Sequence, residues 1–173
     1  MHISISLKAL RVLLLFLCIT VGAFAQTDIV VHDPVAIKEK GVYHLFCTGR
    51  GISHFVSTDS VVPEFKNHIW APDIIEHNGK YYLYYSVSAF AKNTSAIGLT
   101  INTTLDPNSE DYLWEDQGIV VQSIPNRDLW NAIVPNIIFD DNGTPWMSFG
   151  SFWNGLKMVK LSKDLKSIAQ PEE

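Results

Sequence analysis

The sequence predicts an all-β protein of the β-propeller type, and three observations support this. Three segments share one pattern: a proline, a short apolar strand, a polar turn closed by glycine, and an aromatic-rich second strand. A further apolar strand follows each of these hairpins. No segment after residue 25 has the 3.6-residue apolar periodicity of a helix. Small antiparallel sheets that repeat along a chain are typical of a β-propeller.

The three hairpins are "PVAIKEKGVYHLFCTG" from residue 34, "PDIIEHNGKYYLYYSV" from residue 72 and "PNIIFDDNGTPWMSFGS" from residue 135. In the second and third, an Asn-Gly pair supplies residues that accept the positive φ of tight hairpins. Side chains alternate between the two faces of a strand. The second strand of the middle hairpin therefore presents Tyr82, Tyr84 and Ser86 on one face and Tyr81, Leu83 and Tyr85 on the other. The strands that follow the hairpins are "GISHFVSTD", "SAIGLTINTTLD" and "GLKMVKLSKDL".

The number of units indicates part of a propeller. Known propellers close with about four to eight blades, whereas this sequence carries three units. The leading prolines of the first and second units, Pro34 and Pro72, are 38 residues apart, and those of the second and third units, Pro72 and Pro135, are 63 apart. In the first unit, "HFVSTDS" is followed directly by "VVPEF", which leaves too few residues for a fourth, outer strand before the second unit begins. A β-sandwich is the alternative, because regular hairpins also suit sandwiches.

The N-terminal residues 1–25 have the features of a secretory signal peptide. Lys8 and Arg11 precede the apolar run "VLLLFLCITVG", and the small residues of "AFA" end at residue 25. The apolar run is short for a membrane span, so an uncleaved anchor is the less favoured alternative. We therefore expect a signal peptide over 1–25, a single domain over 26–173, and a secreted or periplasmic protein.

Charge and cysteine content narrow the function classes. Residues 26–173 carry 11 basic and 18 acidic residues, a net charge of −7. Without a basic patch, nucleic acid and anionic membranes are poor partners. Cys47 is the single cysteine of this segment, so no disulfide can form within it. The domain must be held together by its core, for which 148 residues are sufficient.

Four motifs carry a resemblance to a known family. "VHDPVAI", "HIWAPDIIEHNGKYYLYYSVS", "SAIGL" and "NAIVPNIIFDDNGTPWMSFGSFWNGLKMVKL" resemble the endo-acting 1,5-α-L-arabinanases of glycoside hydrolase family 43. The resemblance runs from about residue 29 to residue 165. It implies a five-bladed β-propeller, of which about three blades are present here. It also implies hydrolysis of internal arabinofuranosidic bonds with inversion of configuration, with arabinan or an arabino-oligosaccharide as the partner.

By this resemblance Asp33, in "HDP", is the general base. Inverting hydrolysis needs a carboxylate that activates water and a protonated carboxylic acid that donates to the leaving oxygen, about 6.5–9.5 Å apart. A position at the start of an inner strand suits the base. From "DP" alone, Asp33 would be interpreted as an ordinary turn residue.

The resemblance also implies a sugar-binding cleft. The substrate-binding residues would be Asp33, Trp70, Phe90, Asn131, Ala132, Ile133, Val134, Ser151, Phe152 and Trp153. Aromatic faces would stack on furanose rings, and polar groups would hydrogen-bond to sugar hydroxyls. Trp130 and Trp146 are expected in the core, and Asp73 is expected to order backbone at the start of a blade.

The sequence departs from the family pattern at the catalytic residues. Where the family carries an Asp that raises the pKa of the general acid, this sequence has Val134, which supplies no charge. The family's general acid is a Glu of the fourth blade, and no residue here matches it. The resemblance implies that no cofactor is required. The family often has a central metal ion such as calcium, whose axial His also has no match, so we expect no metal ligands. Fewer residues than usual separate "STD" from "VPEF", which indicates a deletion near Ser60.

Three hypotheses follow. The first is a secreted arabinan hydrolase, represented by a truncated and impaired chain. The second is a non-catalytic arabinan-binding remnant, and the third is a chain without a stable fold. Blade faces that lack a neighbour would be exposed, so we also expect self-association through them.

Overall fold

The computed structural model describes residues 31–49, 52–56 and 69–170. These ranges contain ten strands and no helix. The strands are β1 (Val35–Glu39), β2 (Val42–Thr48), β3 (Ile52–Val56), β4 (Ile69–His77), β5 (Lys80–Val87), β6 (Ser95–Asn102), β7 (Glu115–Ser123), β8 (Asn136–Phe139), β9 (Pro145–Phe149) and β10 (Lys157–Lys160). The expected signal peptide and the expected deletion near Ser60 lie outside the described residues. A search of the described residues found no helix long and apolar enough to cross a membrane.

The strands form three antiparallel sheets, ordered β1-β2-β3, β4-β5-β6-β7 and β10-β9-β8. Each sheet contains one predicted hairpin and the strand that follows it, so the prediction of three repeated units is confirmed. The second sheet has a fourth strand, β7, that the sequence pattern did not reveal. Three separate sheets do not fit the two-layered sandwich that was the alternative.

The hairpin turns follow their local sequence, with one correction. Asn78 and Gly79 between β4 and β5 both have positive φ, 52° and 73°, as a two-residue hairpin requires. Between β8 and β9, Gly143 has a φ of 77°, while its partner Asn142 is not among the residues of positive φ. The Gly143 N–H donates to the Asp140 carbonyl at 2.8 Å. The second Asn-Gly pair therefore forms a longer turn in which only the glycine is left-handed.

The middle sheet packs against a neighbour on each of its faces. Tyr81 and Leu83 of β5 lie in one core cluster with Phe46 of β2. Tyr82 and Tyr84 lie in a second cluster with buried residues of β9, such as Met147. Alternate residues of one strand thus contact different neighbouring sheets, which is how the blades of a propeller pack. The fold is all-β, and its three sheets pack in the manner of propeller blades, as expected.

The junctions between successive sheets share one design. The residue before the leading proline is left-handed in each unit, with φ of 49° at Asp33, 30° at Ala71 and 56° at Val134. A hydroxyl at the end of the preceding unit's second strand accepts the amide N–H of that residue. Thr48 Oγ1 accepts from Ala71 at 2.7 Å, and Ser86 Oγ accepts from Val134 at 2.9 Å. These bonds fix the start of each unit against the unit before it.

Candidate active site

The predicted site residues collect along one edge of the three sheets. We call this the site edge: residues 32–34, 70–72 and 131–135 at the strand starts, with the loops 88–94 and 150–156. The first strand of each hairpin begins here and the second ends here, because the strands of a hairpin are antiparallel. The hydroxyl groups of Thr48 and Ser86 link the three strand starts across this edge.

Asp33 is exposed and is held through one of its two carboxylate oxygens. Oδ2 accepts a hydrogen bond from Thr48 Oγ1 at 2.9 Å and lies 2.7 Å from His32 Nδ1. Thr48 Oγ1 already accepts the Ala71 amide, so its single proton is directed to Asp33. Oδ1 has no hydrogen-bond partner within the described ranges. The carboxylate is thus oriented at one oxygen while the other can accept a proton from water.

Val134 occupies the corresponding position of the third sheet. Its φ of 56° is unfavourable for a β-branched residue and is better tolerated by Asn, Asp or Gly. The side chain is 47% exposed, so it faces the site edge without a charge or a hydrogen-bonding group. Val134 fits the fold through its backbone but brings no catalytic group to the site.

The three residues before Val134 lie below the surface of the site edge. Asn131, Ala132 and Ile133 are 5%, 0% and 7% exposed. The Ala132 N–H donates to Ser123 Oγ at 3.1 Å, and the Ile133 carbonyl accepts from the Gly150 N–H at 2.8 Å. Sugar contact by their side chains stays a prediction. Their backbone hydrogen bonds hold this segment against Ser123 and against the start of loop 150–156.

Aromatic side chains are exposed on the two loops of the site edge. Phe90 and Phe152 are each 90% exposed, and Trp153 is 53% exposed. Trp70 at the start of β4 is half-buried. Ser151 is half-buried, and its Oγ has no hydrogen-bond partner within the described ranges. Grouped exposed aromatics next to polar atoms are typical of a ligand surface.

Comparison with known proteins identifies the family. The sequence profile described as "Glycosyl hydrolases family 43" matches residues 50–173. The chain belongs to this family. It spans about half the length of the curated relatives that it matches.

The relatives of this family 43 chain include enzymes named for exo and for endo action. An extracellular exo-α-(1→5)-L-arabinofuranosidase of Cellvibrio japonicus is 51% identical over 92% of this chain and 51% of the relative. An extracellular endo-α-(1→5)-L-arabinanase of Bacillus subtilis is 40% identical over 77% of this chain and 47% of the relative. The solved structure of a Cellvibrio cellulosa α-L-arabinanase with arabinohexaose has 53% identity and a TM-score of 0.77. The match covers 83% of this chain and 51% of the arabinanase chain.

Several residues that build this family 43 site were not found by sequence reasoning. Thr48 and Ser86 each lie 14 residues after the leading proline of their unit, and this shared spacing was the available signal. His32 lies within the motif "VHDPVAI", but nothing in the sequence indicated its contact with Asp33. The contacts of Asn131 with distant loops had no local signal.

The remaining sequence expectations have mixed outcomes. Asp73 orders the next unit, as expected, because its Oδ2 accepts the Ile137 N–H at 2.7 Å. Trp130 packs against the core beside Phe149, as expected. The core expectation for Trp146 is wrong, because this half-buried residue belongs to neither core cluster. Its indole N–H donates to Asp140 at 3.1 Å across the β8–β9 turn. Within the described ranges no group of three or more His, Cys, Asp or Glu could hold a metal ion.

Proposed function

We propose that this chain is part of a secreted inverting glycosidase that cleaves internal 1,5-α-L-arabinofuranosidic bonds of arabinan. The observation that carries the proposal is a carboxylate, Asp33, oriented on the same edge as the exposed aromatics of two loops. The relatives named as an α-(1→5)-L-arabinofuranosidase and an α-(1→5)-L-arabinanase support the substrate class. Those relatives are named extracellular, which supports secretion.

Asp33 has the features of a general base. Its Oδ2 is fixed by Thr48 and His32, so Oδ1 would take a proton from a water molecule as the water oxygen attacks the anomeric carbon. The leaving oxygen needs a proton at the same time, from a second carboxyl group about 6.5–9.5 Å from the base. The family resemblance supplies no residue of this chain for that role.

Other carboxylates near the site edge are committed to structural contacts. Burial raises the pKa of Asp73, although the Ile137 and Ile74 amides and Asn136 lower it, and the bond to Ile137 holds it at a sheet junction. Asp128 pairs with Arg127 at 2.6 Å. Neither carboxyl is available to a leaving group in this arrangement.

A second candidate function is arabinan binding without catalysis. Val134 favours it, since this residue supplies no carboxylate where the family resemblance expects one. The aromatic surface formed by Phe90, Phe152 and Trp153 would still bind furanose rings through their C–H faces.

Two assays measure what the 173-residue chain does by itself. Reducing-sugar release from linear arabinan measures hydrolysis, and calorimetric titration with arabinohexaose measures binding. We expect binding with negligible release. Release at a rate typical of enzymes, on the order of 1 to 10³ per second, would show that this chain hydrolyses arabinan by itself and that a carboxyl group other than Asp33 supplies the proton. The absence of both binding and release would reject both functions.

A further inference from the structure

The amide of Asn131 is buried beneath the two aromatic loops. Its donors face acceptors in only one orientation of the amide. In that orientation Nδ2 donates to the Lys92 carbonyl at 3.2 Å and to Ser95 Oγ at 2.9 Å, while Oδ1 accepts from the Trp153 indole Nε1 at 3.2 Å. An amide nitrogen carries two hydrogens, so both donors are used within the protein.

On one side the amide fixes loop 88–94, which carries Phe90. Ser95 Oγ accepts from Asn131, so its own proton is directed to Ser88 Oγ, 2.7 Å away. Ser88 Oγ in turn donates to the Ala89 carbonyl at 3.4 Å. A buried polar chain therefore connects Asn131 to both ends of this loop.

On the other side the amide fixes the Trp153 ring. Trp153 has a φ of 31°, which is strained for a residue with a side chain. Its loop is closed by hydrogen bonds from the Asn154 N–H to the Leu129 carbonyl and from the Gly155 N–H to the Phe152 carbonyl, both 2.7 Å. Because the indole N–H points at Asn131, the half-exposed ring is held in one orientation. A ligand that stacks on such a ring meets a surface that is already ordered.

We propose that Asn131 is a positioning residue that holds the two aromatic loops of the site edge together and orients Trp153 as a platform for a furanose ring. This differs from the direct sugar contact that the family resemblance implied for Asn131. The identity of the ligand rests on the proposed function, whereas the bond from the indole to Asn131 does not.

The hydrogen bond can be tested by hydrogen exchange of the ¹⁵N-labelled indole groups, with the Trp153 signal assigned through Trp153→Phe. Asn131→Ala should make the Trp153 indole exchange at least about tenfold faster. Asn131→Asp keeps the acceptor and should keep this indole slow, while it loosens the backbone amides of residues 88–94. The matched control is Asn102→Asp. Asn102 is 2% exposed and accepts three backbone amides through Oδ1, and its substitution should leave the Trp153 signal unchanged.

Binding of arabinohexaose supplies the second measurement. Asn131→Ala and Trp153→Ala should each weaken binding, and Asn131→Ala should cause no further loss in a variant that already carries Phe90→Ala and Trp153→Ala, since both aromatic rings that Asn131 positions are then absent. An unchanged Trp153 exchange rate in Asn131→Ala would overturn the proposal. So would a further loss of affinity when Asn131→Ala is added to Phe90→Ala and Trp153→Ala, because Asn131 would then contact the sugar itself. If the unaltered chain does not bind arabinohexaose, the proposed function fails, and the exchange rates still decide the role of Asn131.

Discussion

Val134 offers a quantitative test of how backbone geometry limits stability at the site edge. A residue held in a sparsely populated backbone region is strained by about 1–3 kcal/mol, and Val134 has a φ of 56°. Asn is enriched at such φ values. Val134→Asn should therefore release much of the strain while the amide N–H still donates to Ser86 Oγ.

The loss of buried apolar surface opposes this gain. Full burial of a valine stabilises a protein by about 1.5–3 kcal/mol, and Val134 is 47% exposed, so roughly half of that, about 1 kcal/mol, is lost. We expect Val134→Asn to change the free energy of unfolding by between about 0 and +2 kcal/mol.

Val87 is the matched control. It is 45% exposed and lies in the extended strand β5, so Val87→Asn loses a similar surface without releasing strain. Loss of β-propensity adds to the effect, and we expect Val87→Asn to destabilise by about 1–2 kcal/mol. Urea unfolding followed by tryptophan fluorescence measures both variants. Equal destabilisation by the two substitutions would refute the strain argument.

Four further predictions concern the junctions, the histidines, the outer face and catalysis. Asp73→Ala should lower the free energy of unfolding by about 1–3 kcal/mol, because the Ile137 amide loses its buried acceptor, and Asp73→Asn should cost less in the same urea titration. Burial, and to a smaller extent the charge of the nearby His44, lower the pKa of His54 from 6.5 to about 4. As the pH falls, His54 therefore becomes protonated in the unfolded state before it does in the folded state. The midpoint of unfolding should therefore fall as the pH drops from about 6.5 towards 4, and His54→Phe should flatten this dependence. Ile138 is 45% exposed on the outer face of the third sheet, and Ile138→Lys should reduce any self-association seen by sedimentation velocity. Val134→Asp should not confer arabinan hydrolysis on this chain, as judged by reducing-sugar release, because no residue of this chain matches the proton donor that the family resemblance expects this Asp to tune.

Local features of the fold could be predicted from the sequence because they depend on neighbouring residues. The Asn78-Gly79 turn and the alternation along β5 follow from turn chemistry and from the two-residue period of a strand. β7 could not be predicted in this way. It begins with Glu115 and Asp116, and two register shifts against β6, together with Gly118, interrupt its pattern.

The position of the predicted site residues along one edge could be anticipated from the sequence, but the contacts between them could not. The motifs indicated Asn131 and Trp153 by resemblance, yet their contact depends on how two loops meet after the sheets have packed. Ser95, which accepts a hydrogen bond from Asn131, lies 36 residues earlier in the chain. No local pattern encodes a contact of that separation. For the same reason, the hydrogen bonds from the Ala71 and Val134 amides to the Thr48 and Ser86 hydroxyls could be recognised only in the structure.

Chemical-shift mapping of the ¹⁵N-labelled chain with arabinohexaose tests most directly the claim that the site edge binds arabinan. The two aromatic loops, 88–94 and 150–156, should shift as the sugar is added. The Asn78-Gly79 turn, at the opposite edge, should not shift. The same titration with Trp153→Ala should need more sugar to reach the same shifts. If no residue shifts, or if the shifts are confined to the opposite edge, the site edge is not an arabinan-binding surface.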